Sequence, residues 1–245
     1  LNHFYPGQPI LSFGTAGCNL GCKFCQNWDI SKAKELDKAQ LIAAPSLIAK
    51  STQALDCLGV AFTYNDPVIF AEYAIDIAKE CHHLNLKTVA VTAGYIMPEA
   101  REVFFRYMDA ANIDLKAFTQ TFYKKICMAN LEPILDTLLY LKHETDVWFE
   151  LTNLVIPHHN DSHNELDQMT KWIVKNLGPN VPLHFTAFHP DYKMKDIPNT
   201  EEKSLFEAYN IAKQNGLNYV YTGNIYDQKT GSTYCPSCKH CIIER

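Results

Sequence analysis

Three cysteines, Cys18, Cys22 and Cys25, fall within eight positions of the stretch GTAGCNLGCKFCQNWD, residues 14–29. Thiols at this density point to a metal. A structural zinc ion normally takes four protein ligands, often as two Cys-x2-Cys pairs or one such pair with two histidines. Here the spacing is Cys-x3-Cys-x2-Cys, with no fourth Cys or His in the next several residues, and His3 lies too far upstream to be assigned. A [4Fe–4S] cube is normally held by four thiolates. Three thiolates leave one iron without a protein ligand, and an open metal position is where a substrate or cofactor binds. The spacing therefore favours an open iron–sulfur cluster, with zinc or a structural or redox role as the competing readings. Gly14, Gly17 and Gly21 let the backbone curl closely around an inorganic group, and Phe24 supplies an apolar face beside the last cysteine.

A second group, Cys235, Cys238 and Cys241 in TYCPSCKHC, stands close to Arg245. Cys-Pro-x-Cys is a common metal-binding knuckle. These three could hold zinc with a distant fourth ligand or an auxiliary iron–sulfur cluster; the alternative is a disordered tail whose thiols oxidise readily. Cys57, Cys81 and Cys127 sit singly in apolar stretches and are expected to be small core residues.

Alternating elements must position these residues. Strands are expected at 10–16, 60–64, 87–92, 111–116, 146–157, 182–188 and 218–223. Helices are expected over 44–58, 68–84, from Pro98, near 131–144, over 163–177 and from Thr200 to about Gln214. The segment 68–84 carries apolar residues at 69, 70, 73, 74, 77, 78 and 81, the stripe of an amphipathic helix. Six or seven β–α units with β-rich, doubly buried strands imply an α/β fold with a parallel sheet in a single domain. A barrel or partial barrel fits at least as well as an open sheet, and in either the ligands gather at the C-terminal ends of the strands. The cysteines follow strand one, TYNDP strand two, TAG strand three, DLK ends strand four, PHHND follows strand five and FHPDY strand six.

The bulk numbers narrow the class. The chain has 245 residues, 47% hydrophobic and 20% charged, the ordinary balance of a soluble globular protein. A net charge of −5 with 22 Lys+Arg argues against an electrostatic grip on nucleic acid. No apolar run approaches a membrane span, and no signal-peptide layout is visible. The chain opens at Leu1 rather than Met, so an earlier stretch is expected to have been lost or processed. Nine cysteines without a disulfide-framework spacing point to metal sites in a reducing compartment, and the expectation is cytoplasmic.

Cys18-x3-Cys22-x-Phe24-Cys25 resembles the CxxxCxΦC signature of radical S-adenosylmethionine (SAM) enzymes. Together with FTYNDPVIFAEY, VTAGY, IDLKAF, LVIPHHNDS and FHPDYKM, it resembles the radical SAM component of the AmmeMemoRadiSam system, which is related to pyruvate formate-lyase-activating enzymes. The resemblance implies a partial (β/α)6 barrel over 1–225 and a Cys-containing tail over 226–245. It implies a [4Fe–4S] cluster on Cys18, Cys22 and Cys25, SAM bound at the open iron, and a 5′-deoxyadenosyl radical that abstracts hydrogen from a substrate, a protein among the candidates. A low-potential donor such as flavodoxin or ferredoxin is implied as well.

The same resemblance suggests individual roles. Phe24 contributes to adenine binding. Asn65 and Asp66 of TYNDP take the place of a Gly-Gly-Glu motif at the SAM amino group, against a plain Asn-Asp-Pro turn. Asp114 and Lys116 address the ribose and carboxylate, against an ordinary strand-end ion pair. His189 lies near the adenosine, against a surface or capping residue. Thr92 stands in a Val-Thr-Ala-Gly stretch where the relatives often have Asp-Thr-Asn-Gly, and His158 and His159 are substrate-side groups or solvated loop. From a different class, the competing function is a zinc-stabilised, non-catalytic binding protein on a barrel scaffold; an electron carrier would need a closed cluster.

Overall fold

The computed structural model describes residues 1–33 and 43–245. The chain divides into two compact units. One comprises Leu1–Gly21, Cys25–Ile113 and Glu132–Phe149, the other Cys22–Phe24, Asp114–Leu131 and Glu150–Arg245.

In the first unit β1 (Leu11–Phe13), β2 (Gly59–Phe62), β3 (Lys87–Thr92) and β4 (Ala110–Asp114, its last residue counted with the second unit) pair in parallel and in chain order. All four residues of β2 are buried, as expected for a strand covered on both faces. Because side chains alternate along a strand, register partners share a face. Ala61, Val89 and Ala110 are such partners, and Phe4 and Ile10 pack against this row. Helices α1 (Pro45–Ala54), α2 (Ala71–His83), α3 (Pro98–Phe105) and α4 (Glu132–Glu144) belong to the same unit. Pro45 and Pro98 open α1 and α3 at the position where a missing N–H costs nothing. In α2 the buried face is Ala74, Ile75, Ile77, Ala78 and Cys81, so Cys81 is the core residue the sequence suggests.

In the second unit β5 (Trp148–Val155, begun in the first unit), β6 (Leu183–Ala187) and β7 (Val220–Gly223) again pair in parallel. Helix α5 (His163–Leu177) is capped by Ser162, whose side chain accepts from the Glu165 N–H, and it buries Leu166, Met169, Ile173 and Leu177. Helix α6 (Glu202–Gln214) follows β6. The α/β expectation and the parallel strands hold.

Four local features differ from expectation. The first strand ends at Phe13 rather than residue 16, and the fourth ends at Asp114, leaving Lys116 in the loop beyond it. Between β4 and α4 lies an unforeseen short helical segment, Gln120–Phe122, continued by one π-helical turn, Tyr123–Cys127. The tail forms an antiparallel pair, β8 (Thr233–Tyr234) with β9 (Cys241–Ile243).

Candidate functional site

In the first unit the cysteine loop is shaped by the exit of β2. A methyl group on Gly14 would lie 2.4 Å from the Thr63 carbonyl oxygen and 2.5 Å from Asn65 Oδ1, so only glycine fits. Gly17 has φ +98°, a left-handed conformation costly for any other residue. Asn65, buried, receives the Thr15 N–H on its Oδ1 at 3.2 Å and donates through Nδ2 to the Gly17 carbonyl at 2.6 Å. Asn27 Nδ2 donates to the Tyr64 carbonyl at 2.8 Å, and the Gly17 N–H reaches the Ile30 carbonyl at 3.1 Å. Cys25 Sγ lies 3.2 Å from the hydroxyl of buried Ser31. Asn19 donates to the Tyr95 carbonyl at 2.8 Å.

Asp66 is equally committed. Its Oδ1 accepts from Thr92 Oγ1 at 2.8 Å and from the Val68 N–H at 3.1 Å, and its Oδ2 from the Ala93 N–H at 2.8 Å. Thr92 Oγ1 in turn accepts from the Gly94 N–H at 3.0 Å. TYNDP is thus both the turn its composition suggests and a clamp. Asn65 fixes the cysteine loop, Asp66 fixes the end of β3, and Thr92 is a buried partner in that clamp.

In the second unit Cys22 is buried on a short segment held from both sides. The Lys23 N–H donates to the Ile126 carbonyl at 3.0 Å, and the Lys23 carbonyl accepts from the Lys193 N–H at 3.0 Å. Phe24, 5% exposed, lies 6.0 Å from the Phe122 ring, and Lys116 Nζ lies 5.8 Å from the Phe24 ring centre. Lys116 Nζ pairs with Asp114 Oδ2 at 2.8 Å. Burial pulls the ammonium down, but Asp114, Cys22 and Cys127 together outweigh it and hold Lys116 well above its usual range. Its backbone is pinned too, the N–H donating to Tyr123 Oη at 3.0 Å and the carbonyl accepting from Asn160 Nδ2 at 2.7 Å. Tyr123 and Asn160 escaped the sequence reading; the signal available for Asn160 was its place inside PHHND.

The remaining candidates are placed more plainly. His189 is exposed just past β6. His158 is exposed with φ +65° and its N–H caps onto Asp161 Oδ1 at 2.9 Å, while His159 Nδ1 lies 2.9 Å from the Pro157 carbonyl. In the tail the Cys235 N–H reaches the His240 carbonyl at 2.8 Å, and Lys239 takes φ +62°. Hydrogen bonds from the backbone of Cys238 and then Ser237 pull the Cys235 thiol below its usual range. Cys241 stands opposite Tyr234 on β9.

The donor set fits a thiolate-held cluster: none of Cys18, Cys22 and Cys25 is tied up in a disulfide. Asn19 Oδ1, inside the cysteine loop, is buried and without a hydrogen-bond partner among the described residues, an acceptor that a bound polar group would satisfy. Among those residues no three His, Cys, Asp or Glu side chains gather as ligands of one ion, the tail cysteines included. A cube does not require that, because each thiolate binds a different iron. No helix among the described residues is long and apolar enough to cross a membrane.

Comparison with known proteins points the same way. The chain is 38% identical over its 245 residues to the uncharacterized protein MJ0808 of Methanocaldococcus jannaschii, covering all of this chain and 72% of that one. It is 25% identical over 210 residues to the pyruvate formate-lyase-activating enzyme of Clostridium pasteurianum, covering 79% and 86% of the two. The crystal structure of a domain of pyruvate-formate lyase-activating enzyme from Bacteroides vulgatus superposes with a TM-score of 0.59 at 20% identity, over 68% of this chain and 99% of that one, a likeness of fold. Residues 13–173, from the end of β1 into α5, match the family model of the radical SAM superfamily, and to that superfamily this chain belongs.

Proposed function

We propose that Cys18, Cys22 and Cys25 ligate a [4Fe–4S] cluster with one iron left for SAM, and that the enzyme activates a protein substrate by hydrogen abstraction. The observation that carries this reading is the Cys-x3-Cys-x2-Cys set directly after β1 of a radical SAM chain. When bound, the cluster supplies an electron that cleaves SAM to methionine and a 5′-deoxyadenosyl radical, which takes a hydrogen atom from the substrate. A low-potential donor, flavodoxin or ferredoxin, supplies that electron in a cytoplasmic setting. The relative named pyruvate formate-lyase-activating enzyme supports a protein substrate; hydrogen abstraction from a backbone glycine and an AmmeMemoRadiSam-type modification stand as equal readings.

The chain's own residues bind, orient and shield. Asn65 and Asp66 spend their side chains on the cysteine loop and on β3, so their role toward SAM is positioning. Phe24 offers a buried aromatic face, Lys116 a cation for the SAM carboxylate, Asp114 the acceptor that orients that cation, and His189 a group at the end of β6 for the adenosine. The catalytic core is assigned to 1–225 and the tail to 226–245. Cys235 and Cys238, brought together in a turn with N–H groups on the Cys235 sulfur, are proposed as a zinc half-site, checked by zinc content with and without Cys238→Ser.

The test is anaerobic reconstitution, reduction and addition of SAM. Expected are four irons per chain, an EPR spectrum of the reduced cluster that changes with SAM, and 5′-deoxyadenosine as product. Cys22→Ala should abolish all three; full product from that variant would sink the ligand assignment.

A further inference from the structure

The short segment that carries Cys22 is tied to a basic stretch on either side. The Lys23 N–H donates to the Ile126 carbonyl at 3.0 Å, and the Lys23 carbonyl accepts from the Lys193 N–H at 3.0 Å. Cys22 is buried and Lys23 half-buried, while Lys124, Lys125, Lys193 and Lys195 are exposed. The stretches 22–24, 116–131 and 192–195 together contain six lysines and no carboxylate. Asp191 and Asp196 flank the last stretch, and Asp191 Oδ1 accepts from the Tyr192 N–H at 2.6 Å. Among the described residues none of Lys23, Lys124, Lys125, Lys193 and Lys195 forms an ion pair. Met128, just past the turn that holds Lys124 and Lys125, adds an exposed apolar side chain.

The chain as a whole carries a net charge of −5, so it repels a negatively charged partner except where positive charge is concentrated. Electron transfer slows steeply with distance, so a donor has to seat close to the cluster it reduces. The unpaired lysines sit around Cys22, where that seat is needed. We propose that Lys23, Lys124, Lys125, Lys193 and Lys195 form the docking surface for the electron donor, a small acidic redox protein. The inference rests on Cys22 being a cluster ligand. In the complex the reduced donor gives up one electron and the cluster gains it, with no bond made or broken and no proton moved. Opposite charge speeds the encounter and orients the partners. A small contact suits a donor that must leave after each transfer, and Met128 gives the lysine patch an apolar contact of its own.

The experiment is a calorimetric titration of the iron-free chain with an acidic flavodoxin and, separately, with an acidic ferredoxin, at low and at high salt. One of the two should bind, and more weakly as salt rises. For that donor the double variant Lys124→Glu/Lys125→Glu should lose affinity about tenfold and Lys193→Glu about threefold. Lys175→Glu, the same change of charge in the last turn of α5, should leave the affinity unmoved. In the reconstituted protein, 5′-deoxyadenosine formation driven by dithionite should be equal in all variants, while formation driven by the reduced donor falls with its affinity. Affinity unmoved by the patch variants, an equal loss in Lys175→Glu, an equal loss with dithionite, or binding of neither donor overturns the inference. Four irons and dithionite-driven product in the unsubstituted chain keep the ligand reading whatever the donor does; their absence overturns both.

Discussion

Asn65 Nδ2 donates to the Gly17 carbonyl at 2.6 Å, and its Oδ1 takes the Thr15 N–H at 3.2 Å. One buried amide at the exit of β2 therefore sets the backbone on which Cys18 sits. Asn65→Ala leaves both backbone groups without that partner, a cost of about 1–3 kcal/mol. The expected outcome is a lower melting temperature of the iron-free protein and iron loading reduced severalfold under identical reconstitution. Asn65→Asp keeps the acceptor but loses the donor and should fall between.

Gly14 gives a sharper test of the same packing. Its would-be Cβ stands 2.4 Å from the Thr63 carbonyl oxygen, backbone that cannot swing aside. Gly14→Ala must displace the cysteine loop or the exit of β2. It should destabilise the chain by several times the roughly 1 kcal/mol typical of point substitutions, read by chemical denaturation. Tolerance of alanine there, with unchanged iron content, would contradict this account of the loop.

The strands and the three front cysteines were legible because both are local patterns: doubly buried apolar runs such as GVAF, and thiols at short fixed spacing. The amphipathic stripe gave α2 for the same reason. What side chains do after folding was harder to read. Asn65 and Asp66 read from the sequence as acceptors for a bound ammonium; what a sequence cannot say is that their side chains also hold Thr15, Gly17, Thr92 and Ala93. The π-helical turn left no periodic signal; Cys127 is the buried core residue expected, but the backbone contact of Lys23 with Ile126 in that turn joins residues 103 positions apart. Lys116 was expected on the strand face with Asp114; it lies beyond the strand, yet the pair still forms.

Asp109 contributes to the acid stability of the first unit. It accepts from Lys87 Nζ at 2.8 Å and from the Thr88 N–H at 2.9 Å, and His82 Nε2 lies 3.2 Å away. Burial raises its pKa, but Lys87, the Thr88 backbone and His82 outweigh that and lower it below the ordinary 3.8. A carboxylate with a depressed folded value stabilises above its unfolded value, and that contribution is lost as pH falls through the folded one. Stability from this group should be level above about pH 5 and decline only below 3.8. Asp109→Asn should flatten part of the acid slope at a cost of about 1 kcal/mol at neutral pH, measured by denaturation across pH 2–7.

Lys116 is the cation on which the proposed carboxylate contact depends. Its backbone is fixed by Tyr123 and Asn160, and its ammonium by Asp114 at 2.8 Å, so little ordering remains to be done when an anion arrives. Lys116→Gln removes a charge-assisted contact of about 1.5–3 kcal/mol, which weakens SAM binding by roughly tenfold to a hundredfold. The measurement is a SAM titration of the reduced cluster's EPR change. Lys116→Arg keeps the charge but carries a wider head into a buried site, and should recover only part of the affinity. The pH profile separates charge from shape. The folded value of Lys116 lies above the ordinary 10.5, so its charge is complete below 10.5 and is lost only as pH rises through the higher folded value. Its contribution to SAM affinity should therefore be flat from about pH 6 to 9. A lysine-dependent loss of affinity inside that window would mean that the ammonium is not held by Asp114 as the structure has it.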